Sequence, residues 1–557
     1  MSSKKLLVSC LLIASACSYV WAQVVPELPR VYLDTAYSPP TGNTIVVNAG
    51  GNLQTAVNNA VCGDIISLQA GAAFTGNFNL PNKACTGWIY IQSSAYSQLP
   101  APGNRVSPAQ ANLMPKIVTP NTSSVLATGA GAHHYRFVGV EITGTHSTTA
   151  STLYALVSLE AAGGQSSLSQ VPTDIVFDRC YIHGTPTGNV RRGISLQSAR
   201  TAVVDSYLSD FHEVGADSQA IATWNGPGPF RIVNNYLAGS GENVIFGGAD
   251  PSIANLVPSD VEIRNNHFHK PLSWRAGDPS YAGIHWSIKN LFELKNARRL
   301  LIEGNVFEYS WADAQIGWAL VLKASNSNDT APWSVTEDVT IRNNIIRHAA
   351  HGIAMAKNNG IYPSLPMAKI AILNNLWDDI GSPWSPSQPG RLFGIFGVDD
   401  VSIDHNTAFH DGSIIVADVD PSQRLIFRNN MAPHNAYGVI GTGTGTGNDT
   451  LNKRFPGATF TKNVIWGAPQ YAYLYPAGNF FPNTVNDVGF VNYNGGDYHL
   501  SAASPYKNAG TDGKDLGADI DAVNAATACA VSGICGSSLP PPSDAAPPAK
   551  PRGLRGN

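Results

Sequence analysis

The stretch RLLIEGNVF at residues 299–307 is followed by DVTIRNNII at residues 338–346, and both share one pattern. An apolar residue is followed by two variable residues, an asparagine and a further apolar residue. Eight copies of this pattern occur, with 24 to 39 residues between successive asparagines. A fixed motif with variable spacing predicts stacked structural units joined by loops of different length. The asparagines of the eight copies are Asn235, Asn266, Asn305, Asn344, Asn375, Asn406, Asn430 and Asn463.

The motif predicts strands rather than helices. Each copy alternates apolar and polar residues over about five positions, which is the period of a half-buried strand. Asparagine tolerates left-handed backbone and hydrogen-bonds locally, so we expect it to form the bend between two strands. If coils stack at about 4.8 Å, the amides of successive asparagines can bond to each other in the interior. Further strand-like segments lie between the copies, namely GISLQ, AIATW, NVIFG, LFELK, ALVLK, GIAMA, LFGIF and SIIVA.

This pattern resembles the right-handed β-helix, or pectin-lyase-like, superfamily over residues 48–510. The resemblance implies an all-β fold, a right-handed parallel β-helix solenoid formed by a single chain. Leu53, Ala56, Val57 and Ala60 have helical spacing and predict an N-terminal capping helix over the first coil. Residues 23–47 are expected to be a lead-in, and residues 511–537 a C-terminal closing segment. The Pro-rich residues 538–557 predict a disordered tail.

The first 22 residues predict a secretory signal peptide. Lys4 and Lys5 precede an apolar run at residues 6–16, and cleavage is expected near Ala22. The run is too short for a spanning helix, and no other segment is apolar over the roughly 18 residues that one needs. We therefore expect a secreted or periplasmic protein without a membrane span. Cys17 leaves a lipoprotein as the alternative.

Five cysteines remain after cleavage of the signal peptide. An oxidising compartment favours disulfides that are local in sequence, Cys62–Cys85 and Cys529–Cys535. Cys180 takes the asparagine position of an upstream copy of the motif, so we expect a buried free thiol.

Composition limits the partners. Charged residues make up 13% of the chain and the net charge is −4, which predicts neither a nucleic acid nor an anionic membrane as partner. The superfamily resemblance implies a polysaccharide ligand, and we expect a monomer.

Function has to be argued from a site, because this fold carries many activities. If the apolar residues of the second strand set point inward, the outward positions carry Gln197, Trp224, Glu293, Lys295 and Lys323. Of these, Lys295, Lys323 and Glu293 are the candidate catalytic residues. Equivalent positions of adjacent coils lie about 4.8 Å apart, so Lys295 and Lys323 are expected to be neighbours. Two such ammonium groups would lower each other's proton affinity, and a neutral lysine is a competent general base.

Residues 288–325 loosely resemble the chondroitinase B and alginate lyase family. The resemblance implies that Lys295 is the base and that Lys323 occupies the position of the family's arginine. It implies β-elimination of a uronic-acid glycan, with Ca²⁺ as a possible cofactor. The family's calcium-binding acidic residues are replaced by Ile288 and Asn290 here, which puts this route to calcium in doubt.

Other residues extend the candidate site. Trp224 is expected to stack on a sugar ring, and Gln197, Arg298, Asp313 and Gln315 are further candidates for substrate binding. Structural roles are the alternatives, with Glu293 and Lys295 an exposed ion pair, Trp224 packed under a loop and Arg298 solvating a turn.

Two other functions remain open at this point. One is a glycan-binding or surface protein that does not cleave its ligand. The other is a glycoside hydrolase, which needs two carboxyl groups about 5 to 9.5 Å apart. The nearby candidates for such a pair of carboxyl groups are Glu293 with Asp313 and Glu293 with Glu303. The pairs His267 with His269 and His348 with His351 lack acidic partners at the spacing of metal ligands.

Overall fold

The computed structural model describes residues 25–84 and 86–536. Within them, most of the chain forms three long sheets in which every neighbouring pair of strands is parallel. Each coil of the chain adds one strand to each sheet, and the strand of the next coil pairs beside it. This is a parallel β-helix, so the predicted all-β solenoid is confirmed.

Sheet 1 holds the strands that precede the motif asparagines. Its 14 strands are Thr44–Val47, Ile65–Leu68, Ile89–Ser93, His133–Val138, Thr173–Asp178, Ala199–Val204, Phe230–Val233, Ser259–Arg264, Ala297–Glu303, Thr336–Arg342, Ala368–Leu373, Asp399–Asp404, Ile426–Arg428 and Thr459–Thr461. The first of them falls in the predicted lead-in.

Sheet 2 holds the strands that follow the asparagines. Its 13 strands are Ala73–Thr75, Lys116–Thr119, Glu141–Gly144, Tyr181–His183, Tyr207–Phe211, Tyr236–Gly239, His267–His269, Val306–Ser310, Ile345–Ala349, Leu376–Ile380, Thr407–His410, Met431–Pro433 and Val464–Trp466.

Sheet 3 contains the segments predicted between the motif copies. Its 12 strands are Phe78–Leu80, Leu126–Thr128, Val157–Ala161, Arg192–Ser195, Gln219–Thr223, Glu242–Phe246, Phe292–Leu294, Trp318–Lys323, His351–Ala356, Phe393–Phe396, Ile415–Ala417 and Val439–Gly441. Two short pairs complete the strands, Thr152–Leu153 with Asn189–Val190 and Phe490–Asn492 with Asp497–Leu500.

Helices are short and lie outside the three sheets. The α-helices are Leu53–Asn59, Asn448–Arg454 and Ile520–Thr527, and the 3-10 helices are Tyr96–Gln98, Pro108–Leu113, Leu168–Gln170, Leu272–Trp274, Pro469–Leu474, Val485–Val488 and Tyr493–Gly495. The first α-helix buries Leu53, Ala56 and Val57 against strands of the first coils, as predicted for a cap. None of the described helices is long and apolar enough to cross a bilayer.

The core repeats one position from coil to coil. Ile263, Ile302, Ile341, Ile372 and Ile403 are consecutive Cα partners in sheet 1, and all are fully buried. Burying such a side chain stabilises the fold by roughly 1.5–3 kcal/mol. Because the register does not slip between these strands, sheet 1 buries the same apolar face from coil to coil.

The eight motif asparagines are buried and hydrogen-bonded in series. Asn305 Nδ2 donates to Asn344 Oδ1 at 3.0 Å, and Asn344 Nδ2 donates to Asn375 Oδ1 at 3.0 Å. The same oxygens accept the backbone N–H of the preceding asparagine. Beyond the eight, Asn463 donates to Asn479, and upstream Asn235 Oδ1 accepts the N–H of Ser206.

The left-handed bend lies one residue earlier than predicted. The motif asparagines have ordinary negative φ, whereas each preceding residue has a φ of 53 to 66°. Asparagine and glycine tolerate this conformation best, which explains the frequent Asn-Asn doublet. The residues with this conformation are Asn234, Asn265, Gly304, Asn343, Asn374, His405, Asn429 and Lys462.

The left-handed residues anchor a C-terminal strap, residues 505–536, which runs back along the solenoid. Asn429 Oδ1 accepts the N–H of Thr511, and Asn374 Oδ1 accepts the N–H of Asp519. Farther along, Asn265 Nδ2 donates to the carbonyl of Ala526 at 2.7 Å. The strap therefore crosses the coils in the direction opposite to their order in the chain.

An N-terminal strap, residues 25–42, lies along sheet 1. The backbone N–H groups of Glu27 and Arg30 donate to Asp338 and Asp260, which belong to different coils. Arg136 donates to the carbonyls of Thr35 and Ala36. Both ends of the described chain are thus fastened to the outside of the solenoid.

The cysteines partly test the redox predictions. Cys529 and Cys535 form a disulfide, and Cys180 is free and fully buried, as predicted. Burial raises the pKa of the Cys180 thiol to about 12. Cys62 is disulfide-bonded, but its predicted partner Cys85 lies outside the described residues. The predicted signal peptide and the residues from 537 onward, with the Pro-rich tail, lie outside them as well.

Replacing Asn344 should destabilise the solenoid. In Asn344→Leu, the N–H of Asn305 loses its buried acceptor and the amide oxygen of Asn375 loses one of its two donors, so we expect a loss of about 1–3 kcal/mol in the free energy of unfolding. The measurement is urea unfolding, with Asn328→Leu in an exposed loop as the control. Equal losses in both variants would contradict a structural role for the asparagine series.

Cysteine reactivity should follow burial. In the native protein, Cys180 should resist alkylation and should react only after unfolding, since it is buried and its pKa is raised. Mass mapping without reduction should find Cys529 joined to Cys535, and Cys62 joined to Cys85. Rapid labelling of Cys180 in the folded protein would contradict its interior position.

Candidate functional site

The site lies on the outer face of sheet 3, where Lys295 follows the strand Phe292–Leu294 and Lys323 ends the strand paired with it. Their preceding residues, Leu294 and Leu322, are Cα partners. Lys295 Nζ lies 3.3 Å and Lys323 Nζ 3.4 Å from the same oxygen, Glu293 Oε1. The structure therefore brings together the three residues that were predicted to be catalytic.

Burial differs among the three side chains. Glu293 is only 1% exposed, whereas the side chains of Lys295 and Lys323 are 17% and 27% exposed. The sequence-based argument placed two ammonium groups face to face, but the structure inserts a carboxylate between them. The repulsion between the lysines is therefore offset by attraction to Glu293. The alternative of an exposed surface ion pair does not hold for Glu293.

Glu242, which sequence reasoning missed, completes a carboxyl pair with Glu293. It is fully buried at the start of its strand in sheet 3, and it lies close enough to Glu293 for the two carboxyl groups to influence each other's ionisation. Gln219 Nε2 donates to Glu242 Oε2 at 2.7 Å. Burial, together with the negative charges of Glu293 and Asp217, raises the pKa of Glu242 to about 7.

The pKa of Glu293 is shifted in the opposite direction to that of Glu242. Burial opposes its ionisation, but the ammonium groups of Lys295 and Lys323 outweigh burial and lower its pKa. Asn290 Nδ2 also lies 3.3 Å from Glu293 Oε2. A proton on the carboxyl pair therefore resides on Glu242, with the negative charge on Glu293.

A third lysine lies beside the pair. Lys289 Nζ is 2.5 Å from Asp217 Oδ2 and 3.5 Å from Glu242 Oε1. We call Lys289, Lys295 and Lys323 the lysine cluster.

Lys270 hydrogen-bonds to the backbone of the residues just before Glu242. It is fully buried, and its ammonium group donates to the carbonyls of Gly239, Ser240 and Gly241 and to Asn243 Oδ1. Burial lowers the pKa of Lys270 to about 7, while the charge of Glu242 favours its ammonium form. These contacts fix the bend that leads into the strand Glu242–Phe246.

Trp224 and Gln197 differ in accessibility. Trp224 is partly exposed, and the guanidinium of Arg192 lies over its ring, 5.0 Å from the centroid. Gln197 was predicted to face outward, which is wrong, because it is fully buried. Its Oε1 accepts the N–H groups of Trp224 and Asn225, so it fixes the turn that carries the tryptophan.

The remaining predicted binding residues lie apart from Glu293. Arg298 belongs to sheet 1, where its Nε donates to Ser259 Oγ at 3.2 Å. Asp313 lies in the loop before the strand Trp318–Lys323 and pairs with His285 at 2.8 Å. Gln315 is exposed in the same loop, and its carbonyl accepts the N–H of Asp313. No contact joins these three to the lysine cluster or the carboxyl pair among the described residues.

The residues present do not fit a calcium ion. Ile288 is fully buried and has no donor atom, and the Asn290 amide donates to Glu293. The lysine cluster already places positive charge beside both carboxyl groups and would repel a divalent cation. Calcium also needs six to eight oxygen ligands.

The histidine pairs are engaged elsewhere. His267 pairs with Glu308, and His348 pairs with Asp379. In the described part of the chain, no group of three or more His, Cys, Asp or Glu side chains could hold a metal ion.

Glu242 and Lys289 escaped sequence reasoning because the loops between coils differ in length. Val244 and Phe292 are Cα partners, yet more than 40 residues separate them. The segment NVIFG was predicted as a strand, but the glutamate before it could be assigned to the site only after that register was known.

Comparisons with known proteins find structural similarity but no family. No family model matches the chain, and no curated protein matches it significantly. It is similar in structure to an alginate lyase from Paenibacillus sp. str. FPU-7, at 14% identity and a TM-score of 0.31, over 79% of this chain and 98% of that one. A mannuronic acid specific polysaccharide family 6 lyase from human gut microbiota shares 11% identity at a TM-score of 0.41, over 80% and 93%. The Dettilon tailspike protein shares 12% identity at a TM-score of 0.39, over 79% of this chain and 68% of that one.

Proposed function

We propose that the chain is a secreted polysaccharide lyase that cleaves a uronic-acid glycan by β-elimination on the outer face of sheet 3. The observation that carries the proposal is the shared contact of Lys295 and Lys323 with Glu293 Oε1. A base and a cation held this close can act on one sugar residue, since the acidic proton and the carboxylate of a uronate are on adjacent carbons.

Lys295 must lose a proton before it can act as a base. When a glycan covers the face and excludes water, the Lys295–Glu293 ion pair loses its hydration, and a neutral pair becomes favoured. The proton then passes over 3.3 Å from Lys295 Nζ to Glu293 Oε1, with Lys323 still charged.

The elimination then balances without water. The free amine of Lys295 takes the proton on C5 of the uronate, while the ammonium group of Lys323 stabilises the charge that develops on the carboxylate. The bond between C4 and the glycosidic oxygen breaks, and a C4=C5 double bond forms. The leaving oxygen receives a proton from the Lys295 ammonium or from the carboxyl pair.

Glycoside hydrolysis has less support at this site. Hydrolases keep their two carboxyl groups at least about 5 Å apart, to leave room for the sugar or for water. Glu242 and Glu293 are instead both buried, at 0% and 1% exposure, and Glu303 lies on sheet 1, paired with Arg342 and Arg264. Binding without cleavage is the competing function that the following experiment separates.

Removing the base should abolish product formation. Lys295→Ala should lower turnover on a polyuronate by roughly 10²–10⁴-fold, and Lys323→Ala by about 10²–10³-fold. Lys295→Arg keeps the charge beside Glu293 but cannot become neutral, so it should be inactive as well. The assay follows the ultraviolet absorbance of the new double bond on a panel of uronic-acid polysaccharides.

Lys453→Ala is the matched control, because Lys453 is an exposed lysine in the helix Asn448–Arg454 and should leave turnover unchanged. Substantial activity in Lys295→Arg would show that only its charge matters and would remove the proposed base. Binding of a polyuronate by the unmodified protein, with no product from any member of the panel, would leave a binding function.

Stability should depend on pH through Glu242. Its folded-state pKa is raised, so the folded protein holds a proton that the unfolded chain releases, and stability should fall between about pH 4.5 and pH 7. Glu242→Gln cannot ionise and should flatten this fall in the thermal midpoint. Glu337→Gln, a partly exposed glutamate of sheet 1, should behave like the unmodified protein. Parallel pH profiles of Glu242→Gln and the unmodified protein would contradict a raised pKa.

A further inference from the structure

Arg192 lies at the start of its strand on sheet 3, in the coil before Trp224. Its Cα partner is Gln219, and the partner of Gln219 is Glu242, so a short row of polar residues leads from Arg192 to the carboxyl pair. Val244 and Phe292 are partners farther along. Arg192 is therefore three coils from Glu293, or about 14 Å along the solenoid at the usual strand spacing.

The guanidinium of Arg192 has no hydrogen-bond partner within residues 25–84 and 86–536. Its Nε is buried without an acceptor, and no carboxylate of the described chain forms an ion pair with it. Burial and the nearby charge of Arg191 lower its pKa, yet an arginine stays protonated at physiological pH. A largely buried charge without a partner is costly, unless a ligand supplies the missing anion.

Neighbouring cations on this face are all paired, which sets Arg192 apart. Arg191 makes two hydrogen bonds to Glu213, at 2.7 and 2.8 Å. Lys289 pairs with Asp217, and Lys295 pairs with Glu293. Glu213, Glu242 and Asp217 are close enough to act on Arg192 electrostatically, but none forms an ion pair with it. Glu213 pairs with Arg191, whereas Asp217 and Glu242 pair with Lys289.

Two adjoining groups complete a surface that suits a sugar. Trp224 presents a partly exposed ring beside the guanidinium, and tryptophan next to arginine combines an apolar platform with hydrogen-bond donors. The amide oxygen of Gln219 is buried without a partner, so it can accept a hydroxyl group.

Space for a glycan continues beyond Arg192 toward the N-terminal coils. Ser195, in the same strand, is the Cα partner of Ser158. Ser158 and Ala127 line an open cavity of about 460 Å³ on this face. A linear glycan could therefore lie along the solenoid axis, from this cavity past Trp224 to the lysine cluster.

We infer that Arg192, Trp224 and Gln219 form a binding subsite for a second acidic sugar residue of the glycan. The guanidinium pairs with the uronate carboxylate, Trp224 contacts the ring, and Gln219 accepts a hydroxyl. This inference rests on the proposed function, because it takes the glycan to be the one cleaved at Lys295. It predicts that the enzyme needs more than one acidic residue in its substrate.

The experiment measures binding and turnover separately. Binding of a polyuronate and of a neutral glycan is measured by calorimetry in the Lys295→Ala background, where cleavage does not interfere. Adding Arg192→Gln should weaken polyuronate binding about tenfold, the value of a charged hydrogen bond. Binding of the neutral glycan should not change. In the otherwise unmodified enzyme, Arg192→Gln should raise KM by a similar factor, while kcat stays within about twofold.

Two further variants make the result specific. Arg275→Gln is the matched control, because Arg275 also lies over a tryptophan, Trp384, but its guanidinium is bonded to the carbonyl of Pro383. It should not affect binding. Arg192→Lys keeps the charge and should recover part of the lost affinity. Thermal unfolding confirms that each variant is folded under the conditions of the assay.

The possible outcomes separate this inference from the proposed function. Unchanged polyuronate binding in Arg192→Gln would overturn the subsite, whatever the result for Lys295. A loss that Arg192→Lys does not recover at all would point to packing of the side chain on Trp224 and would also overturn it. Full activity in Lys295→Ala would remove the lyase mechanism, while a tenfold loss of binding in Arg192→Gln would still support an acidic-sugar subsite.

Discussion

Parallel backbone pairing between successive coils is the constraint on which the structure depends. It places residues that are distant in sequence at a fixed separation of about 4.8 Å, provided that no coil slips in register. The buried asparagines secure that register at the bend between sheets 1 and 2, since each amide bonds to both the backbone and the side chain of its neighbour. Loops of different length can then be inserted without disturbing the stack. The meeting of Lys295, Lys323 and Glu293 follows from this register.

The fold could be predicted from the sequence because its signal is repeated in every coil. The bend was misplaced by one residue, because in doublets such as Asn343-Asn344 either residue tolerates the left-handed conformation. For the site, strand alternation sufficed to bring Lys295 and Lys323 together. It failed for Gln197, which lies beyond the end of its strand and is fully buried, so strand alternation does not apply to it. Glu242 and Arg192 could not be assigned, because their relation to Glu293 depends on the lengths of loops that have no repeating pattern.

The electrostatics of the site differ from those of an ordinary surface cluster of lysines. Two carboxyl groups lie beneath the lysine cluster, and burial makes their charges costly unless protons or ammonium groups compensate them. Such an arrangement stabilises the fold little, because desolvation offsets much of the attraction. It does keep a mobile proton near neutral pH beside a surface that can be covered by a ligand. Stability and reactivity therefore place opposite demands on Glu242.

The two straps determine how the molecule would bear a mechanical load. The C-terminal strap ends beside Gly103 and Asn104, next to coils near the start of the solenoid, and the N-terminal strap begins at Asp338 in its middle. A force applied between residues 25 and 536 would therefore not pull on the terminal coils. It would peel each strap away, breaking a few side-chain hydrogen bonds at a time, before any strand pair was loaded. The straps would therefore detach and extend first under tension, while the sheets stay intact.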